Sequence, residues 1–482
     1  MREDTPSMKL RVLFLLLFLT STLTPLWAQG SADPGKEFSR SAAAAVKEFE
    51  QRYGGKVGIS TQVLKTGKVP FSYNGTSPMI PASNLKIVTS AVALDVLGPD
   101  YRFETKLFGP GTSKGGVLDG DIVLKGAGDP TFFAPYVDTS TAPFAEMASA
   151  LKRNGINRVT GDLVIDDSDF DREFIPSAYH ARYLLSSYAA SVGGLGVNRN
   201  VVTLSVGPSG VVTDPPTGSL QFVNKVKIGG YDQIWAERPR DSDRVTIHGV
   251  TTPGSTAQTT ITVFDPVRMA GSVCYRVLTN KNIQIDGKWR LVPEGQAASL
   301  NNMVLIAKHR SPTLVKLLEA TNVDSNNLFA QHIFRRLGAT VVGLGNVRNS
   351  EAVVRDFFKR NHIADTGFRM DDGSGLSEKN RVAPYQLVYL LKAMWDHPQG
   401  QLFIDTLPQP GEGTMRGRLG GCTVRAKTGT LNNHSGLTGY VVTAYGETVG
   451  FSILVNDMDT TWPAVDFQDE IVAMLARWDK PL

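Results

Sequence analysis

Amide cleavage by a serine needs an activated hydroxyl, a base, an acid for the leaving amine and donors for the oxyanion. A lysine can be the base when burial or a neighbouring cation keeps its amine neutral. Residues one turn apart share a helix face. Ser83-x-x-Lys86 precedes an apolar run ending at Gly98, so hydroxyl and amine project together from one end of a helix. A helix N-terminus also favours negative charge developing at Ser83. Two further clusters follow: Ser325-Asn326-Asn327, before an amphipathic stretch, and Lys427-Thr428-Gly429-Thr430, on a predicted strand. Each has a plain structural reading, since Ser or Asn routinely caps a helix and a glycine can end a strand. Decoys exist as well: Ser149-x-x-Lys152 inside an apparent helix Phe144–Arg153, Ser72/Asn74, Ser299/Asn301, and Lys65-Thr66-Gly67. Order separates the sets. Only Ser83/Lys86, Ser325/Asn327 and Lys427/Thr428/Gly429 run helix start, helix start, strand.

The elements that position these residues are readable from pattern. Ser41–Tyr53 has helix-forming composition, and Lys56–Leu64 and Val69–Tyr73 read as strands of a hairpin turning at Lys65-Thr66-Gly67. From about Asp100 to Asp286, short β-branched runs alternate with Gly, Pro, Asp and Ser, as in GDLVIDDSDFD and TAQTTITVFDP, which predicts mostly β structure. Helical patterns then return (SPTLVKLLEATN, SNNLFAQHIFRRLG, SEAVVRDFFKRN, PYQLVYLLKAMWDH). Strands (CTVRAKTGT, LTGYVVTAYG, ETVGFSILVND) and a last helix, Pro463–Trp478, follow. Strands from both ends of the chain could complete one sheet, making the middle an insertion.

Composition bounds the answer. With 482 residues, length alone suggests roughly three domains. A 41% hydrophobic content supports packed cores, and a net charge of +4 gives nucleic-acid binding no support. Met8–Ala28 has a basic start at Lys9 and Arg11, an apolar run and a polar end. That is the pattern of a secretory signal peptide cut after Ala28, with a retained membrane anchor as the other reading. The two cysteines, Cys274 and Cys422, could pair or stay as buried thiols. The seven histidines are scattered without ligand spacing, so no metal or cofactor is expected.

The ordered trio is that of serine enzymes acylated by penicillin. On it, the chain resembles the class C low-molecular-mass penicillin-binding proteins, the D-alanyl-D-alanine carboxypeptidase/endopeptidase type. Further matches are Gly126-Ala127-Gly128-Asp129-Pro130-Thr131, Tyr188-Ala189-Ala190, Val197-Asn198, Ser311-Pro312 with Leu314, Asp372-Gly373-Ser374-Gly375-Leu376-Ser377, Gly413-Thr414-Met415 and the Ser435–Tyr440 segment. The roughly 240-residue gap between Ser83 and Ser325 is also similar to this class.

The resemblance implies an α+β fold: a penicillin-recognising, β-lactamase-like domain with an antiparallel sheet flanked by helices and inserted β-rich modules. The expected boundaries are a signal peptide at 1–28, a discontinuous catalytic domain at 29–98 and 291–482, an inserted domain at 99–174 and 260–290, and a nested one at 175–259. It implies that Ser83 attacks the penultimate D-alanine carbonyl, Lys86 takes its proton and Ser325 relays a proton to the leaving amine. Asn327 would orient Lys86 and the acyl-side amide. Lys427 would supply positive potential, Thr428 and Thr430 would bind the substrate carboxylate, with Gly429 part of the same substrate-binding motif, and the N–H groups of Ser83 and Thr430 would form the oxyanion hole. Implied partners are peptidoglycan stem peptides, with β-lactams as covalent inhibitors, in the periplasm. Peripheral membrane or cell-wall association and oligomeric state stay open. The chain departs from the family at Asn326, where Asp is usual, at Gln331, where glutamate is common, and at Gly193-Gly194 with Gly196, in place of a Ser-Ala-Leu-Ser run. A β-lactamase-like or esterase hydrolase, or a non-catalytic cell-wall binding protein, are the alternatives.

Overall fold

The computed structural model describes residues 34–482; the expected signal segment lies outside the described residues. The first helix, α1 (Pro34–Tyr53), begins before the expected Ser41, because proline is tolerated in a first turn and Glu37 there suits the positive end of the helix. Strand β1 (Lys56–Val63) follows, then β2, which is only Ser72–Tyr73 rather than Val69–Tyr73. Near the C-terminus come β3 (Val424–Leu431), β4 (His434–Val442) and β5 (Thr448–Asn456). These five form one antiparallel sheet in the order β3-β4-β5-β1-β2. The register Lys56↔Asn456 through Val63↔Val449 joins the two ends of the chain, and β3, the strand carrying Lys427, is an edge.

Both faces of the sheet are covered, so β4 and β5 read as near-continuous buried runs instead of alternating ones. On one face α1 and the last helix (Trp462–Ala476) pack Phe38, Val46, Phe467 and Ile471 against Ile59, Leu437 and Ile453. On the other lie α2 (Leu85–Leu97), α3 (Asn327–Val342) and α4 (Pro384–Asp396). Leu85, Val88 and Val92 meet Phe329, Ile333, Leu387 and Leu391 there. Residues 85–94 of α2 are all buried, the polar Lys86, Thr89 and Ser90 included, so those three must find hydrogen-bond partners inside the protein. None of the described helices is long and apolar enough to cross a membrane.

The middle of the chain holds its own sheets. One runs Trp289–Leu291, Leu163–Asp166, Ile122–Lys125, Glu104–Pro110, Met303–Arg310. Because Met303–Arg310 pairs with Glu104–Pro110, this sheet extends past residue 291, where the catalytic portion was expected to resume. A three-stranded sheet (Val201–Gly207, Gly210–Asp214, Ala257–Thr262), a four-stranded sheet of short strands (Gln284–Ile285, Arg158–Val159, Val117–Leu118, Ser113–Lys114) and a small sheet around Arg244–Thr251 complete the region. The middle is less purely β than its composition suggested. Besides Ala142–Arg153 it contains a helix at Pro266–Asn280, started by the Asp265 carboxylate accepting the Arg268 N–H at 2.7 Å. One apolar cluster, including Leu163, Leu204, Ile247 and Val273, runs through all of it. Cys274 and Cys422 are both free thiols.

Candidate active site

The chain enters α2 through a tight 3₁₀ turn, Ala82–Asn84, with Ala82 at φ +48°. Strain of that kind persists where surrounding structure over-determines it. Here β3 presses on the turn: a Cβ on Gly429 would sit 2.9 Å from the Ser83 nitrogen and 2.8 Å from the Pro81 carbonyl. Gly375 approaches from the other side at φ +86°, where any side chain would strike the Ala82 carbonyl. Two glycines from distant segments therefore set the position of Ser83.

Ser83 and Lys86 do share one turn, and Lys86 Nζ lies 2.8 Å from Ser83 Oγ. The same Nζ donates to Asn327 Oδ1 at 2.6 Å and to the Ser374 carbonyl at 2.7 Å. Lys86 is fully buried. Burial, and then the nearby Lys427 cation, hold its amine well below the ordinary lysine range, against the opposing pull of Asp372. A neutral amine has two hydrogens and one lone pair. The two carbonyl oxygens take the hydrogens, which leaves the lone pair facing Ser83 Oγ. A lone pair so placed can accept a proton from the hydroxyl.

At the start of α3 the labour is divided. Asn326 caps the helix, its Oδ1 accepting the Phe329 N–H at 3.1 Å. Ser325, at φ +57°, and Asn327 are thereby left to the cleft, and the departure from Asp at position 326 costs nothing in capping terms. The other side-chain atom of Asn327, Nδ2, donates to the Tyr188 carbonyl at 2.8 Å.

Ser83, Ser325, Asn327 and Thr430 line one open cleft of about 490 Å³ with Tyr183, Tyr188, Gly375, Leu376 and Asn432. Lys427 lies fully buried, donates to the Thr428 carbonyl at 2.9 Å, and is pushed down to about 7 by that burial. Thr430 is exposed, whereas Thr428 is buried and does not line the cleft. Among the described residues no cluster of three or more His, Cys, Asp or Glu could hold a metal ion.

Pattern reading missed the Ser374 and Tyr188 carbonyls. A main-chain acceptor has no residue-type signature, and both lie in segments that matched the family resemblance without an assigned role. It also missed the support below them. Gln331 holds the Gly373 N–H at 2.7 Å and donates to the Tyr179 hydroxyl at 2.8 Å.

Residues 40–478 match the family described as D-Ala-D-Ala carboxypeptidase 3 (S13). The D-alanyl-D-alanine carboxypeptidase of Actinomadura sp. (strain R39) is 29% identical over 464 residues, covering 90% of this chain and 84% of the relative. The D-alanyl-D-alanine carboxypeptidase DacB of Haemophilus influenzae is 25% identical over 426 residues, 84% of this chain and 86% of its own length. The crystal structure of penicillin binding protein 4 from Haemophilus influenzae superimposes with a TM-score of 0.77 at 23% identity, covering 90% of this chain and 99% of that one. The structural likeness establishes the shared fold.

Proposed function

Because this chain belongs to the D-Ala-D-Ala carboxypeptidase 3 (S13) family, we propose that it is a serine carboxypeptidase acting on peptidoglycan stem peptides through an acyl-enzyme on Ser83. The observation that carries the reading is the buried Lys86 amine, its hydrogens occupied by Asn327 and Ser374 and its remaining position 2.8 Å from Ser83 Oγ. Lys86 takes the Ser83 proton as Oγ bonds to the penultimate D-alanine carbonyl carbon. The oxyanion is met by the N–H groups of Ser83 and Thr430. The C–N bond then breaks, and the departing amine receives that proton through Ser325. Water releases the acyl group from Ser83 and restores the hydroxyl. β-Lactams enter the same first step, but their leaving amine stays tethered, so the ester persists.

Lys427 and the exposed Thr430 bind the terminal carboxylate, while Thr428 contributes through the strand. Asn327 meets the acyl-side amide. Strand β3 offers its free edge, onto which an extended peptide adds as a further strand. The catalytic portion is built from both ends of the chain, with the middle inserted between α2 and α3. The protein is exported to the periplasm with its leader removed.

Digestion of purified muropeptides, followed by mass spectrometry, tests the reading. Loss of one terminal alanine from pentapeptides is the expected product, and loss of cross-linked dimers would add endopeptidase action. Unchanged muropeptides would refute it.

The carboxylate site carries its own pH dependence. Burial pushes Lys427 down to about 7, and a bound carboxylate favours its protonated form. As pH rises through about 7 the cation is lost from the unliganded site, so the saturation constant for a carboxylate-bearing β-lactam weakens, by up to about tenfold per pH unit. Acylation measured against β-lactam concentration from pH 6 to 9 reads this directly. A constant that stays flat would remove Lys427 from carboxylate binding.

A further inference from the structure

The loop that holds Lys86 is itself held from three directions. Thr89, one turn after Lys86 on α2, donates to the Gly373 carbonyl at 2.7 Å. Gln331, one turn after Asn327 on α3, accepts the Gly373 N–H. Tyr179, which belongs to the chain's middle region, stands 3.3 Å from Ser374 Oγ. Gln331, Tyr179, Ser374 and Asp372 are all buried, so each proton among them must go to a protein atom.

Their chemistry fixes the direction of those protons. The Gly373 N–H can only donate, so it faces the Gln331 carbonyl oxygen and the amide nitrogen faces Tyr179. That nitrogen donates to the tyrosine oxygen, which leaves the tyrosine proton for Ser374 Oγ. Ser374 Oγ in turn donates to Asp372 Oδ1 at 3.3 Å. The Asp372 carboxylate also accepts the N–H groups of Ser374 at 2.8 Å, Gly375 at 2.5 Å and Ser377 at 2.6 Å.

We propose that Tyr179 and Gln331 are positioning residues for the reaction. They orient a one-way hydrogen-bond chain, Gln331 to Tyr179 to Ser374 to Asp372, which fixes the loop on which Lys86 hangs and ends on the Asp372 carboxylate. The inserted middle of the protein thereby reaches the catalytic lysine. This rests on Ser83 and Lys86 being the reacting pair.

The charged groups acting on Lys86 are Lys427 from β3 and Asp372 from the loop, and Tyr179 from the middle region acts on that same Asp372. Burial, reinforced by Asp372, lifts the Tyr179 hydroxyl well above its ordinary range, so it remains a donor throughout the working pH. Asp372 favours the Lys86 ammonium and Lys427 opposes it. Removing donors from the chain makes Asp372 easier to protonate. Its pull on the Lys86 proton then weakens, and Lys86 becomes neutral at lower pH.

The test is the second-order rate constant for acylation of the mature protein by a fluorescent penicillin, from pH 5 to 10. Tyr179→Phe, Gln331→Leu and the double variant are compared with the parent protein. Each single variant should lose about tenfold, and the double no more than the larger single loss, because groups acting as one unit are not additive. The acid limb should move to lower pH in all three. Losses that multiply to about a hundredfold in the double variant, or an acid limb that does not move, would overturn the proposal. If Gln331→Leu does not fold, the limb of Tyr179→Phe decides alone. Failure of the underlying reading looks different: the parent protein would then not be labelled at Ser83 at all.

Discussion

Ser83→Ala forms no acyl-enzyme: labelling by a fluorescent penicillin falls by at least about 10⁴-fold, the scale on which nucleophile removal acts in serine hydrolases. The hydroxyl supplies the atom that bonds to the carbonyl carbon, and no other group takes over. In the described structure the Lys86 amine sits 2.8 Å from this one hydroxyl, and the only other serine lining the cleft is Ser325, whose proposed part is proton transfer. Stability barely changes, because Ser83 is half-buried and the turn around it is set by Gly429 and Gly375. A melting temperature within a few degrees of the parent therefore accompanies the loss. Ser149→Ala serves as the counterpart. That serine has the same spacing to Lys152, but its Oγ donates to the Ala145 carbonyl at 3.0 Å within its own helix, and Lys152 is exposed. Its labelling stays at the parent level. Persistent labelling of Ser83→Ala would sink the nucleophile assignment.

The contrast between Ser83 and Ser149 shows what sequence could decide. Spacing alone puts both serines one turn from a lysine. Order along the chain picked Ser83, because a helix start, a second helix start and a strand can converge only if the chain returns to its first sheet. It does so: β3, β4 and β5 pair back onto β1. What stayed hidden follows from the kind of contact involved. The Ser374 carbonyl that holds Lys86 is main chain, and its placement depends on an Asp372 turn closed by three N–H donors. Tyr179 lies roughly 90 residues beyond Lys86 and 150 before Gln331, inside a region whose composition spoke mostly of strands. The helix Pro266–Asn280 was hidden for a local reason: its apolar positions follow directly on a β-branched run, TTITVF, which obscures the change of period. The pairing of Met303–Arg310 across the boundary expected at 291 stayed hidden because its partner, Glu104–Pro110, is some 200 residues away.

Lys86→Met gives the second large effect and a sharper diagnosis. Methionine nearly matches the volume of the buried lysine stem, so the site keeps its packing while losing the amine. Asn327 Oδ1 and the Ser374 carbonyl each lose a donor, a cost of about 1–3 kcal/mol apiece, partly offset because a buried amine no longer has to be kept from water. Acylation should fall by about 10²–10⁴-fold, the usual worth of a positioned base. The shape of the pH profile changes too. In the parent protein the acid limb reports loss of the Lys86 proton, at a pH well below the ordinary lysine range because burial and Lys427 disfavour the ammonium. Below that pH the base is protonated and acylation falls; above it the base is free. Without Lys86 the serine must lose its proton to solvent, so the residual rate climbs steadily with pH and shows no plateau until carboxylate binding fails above about 7, where Lys427 loses its charge. If Lys86→Met instead kept the parent's acid limb, that limb would belong to another group, and Lys427, the other fully buried lysine among the described residues, would become the candidate base.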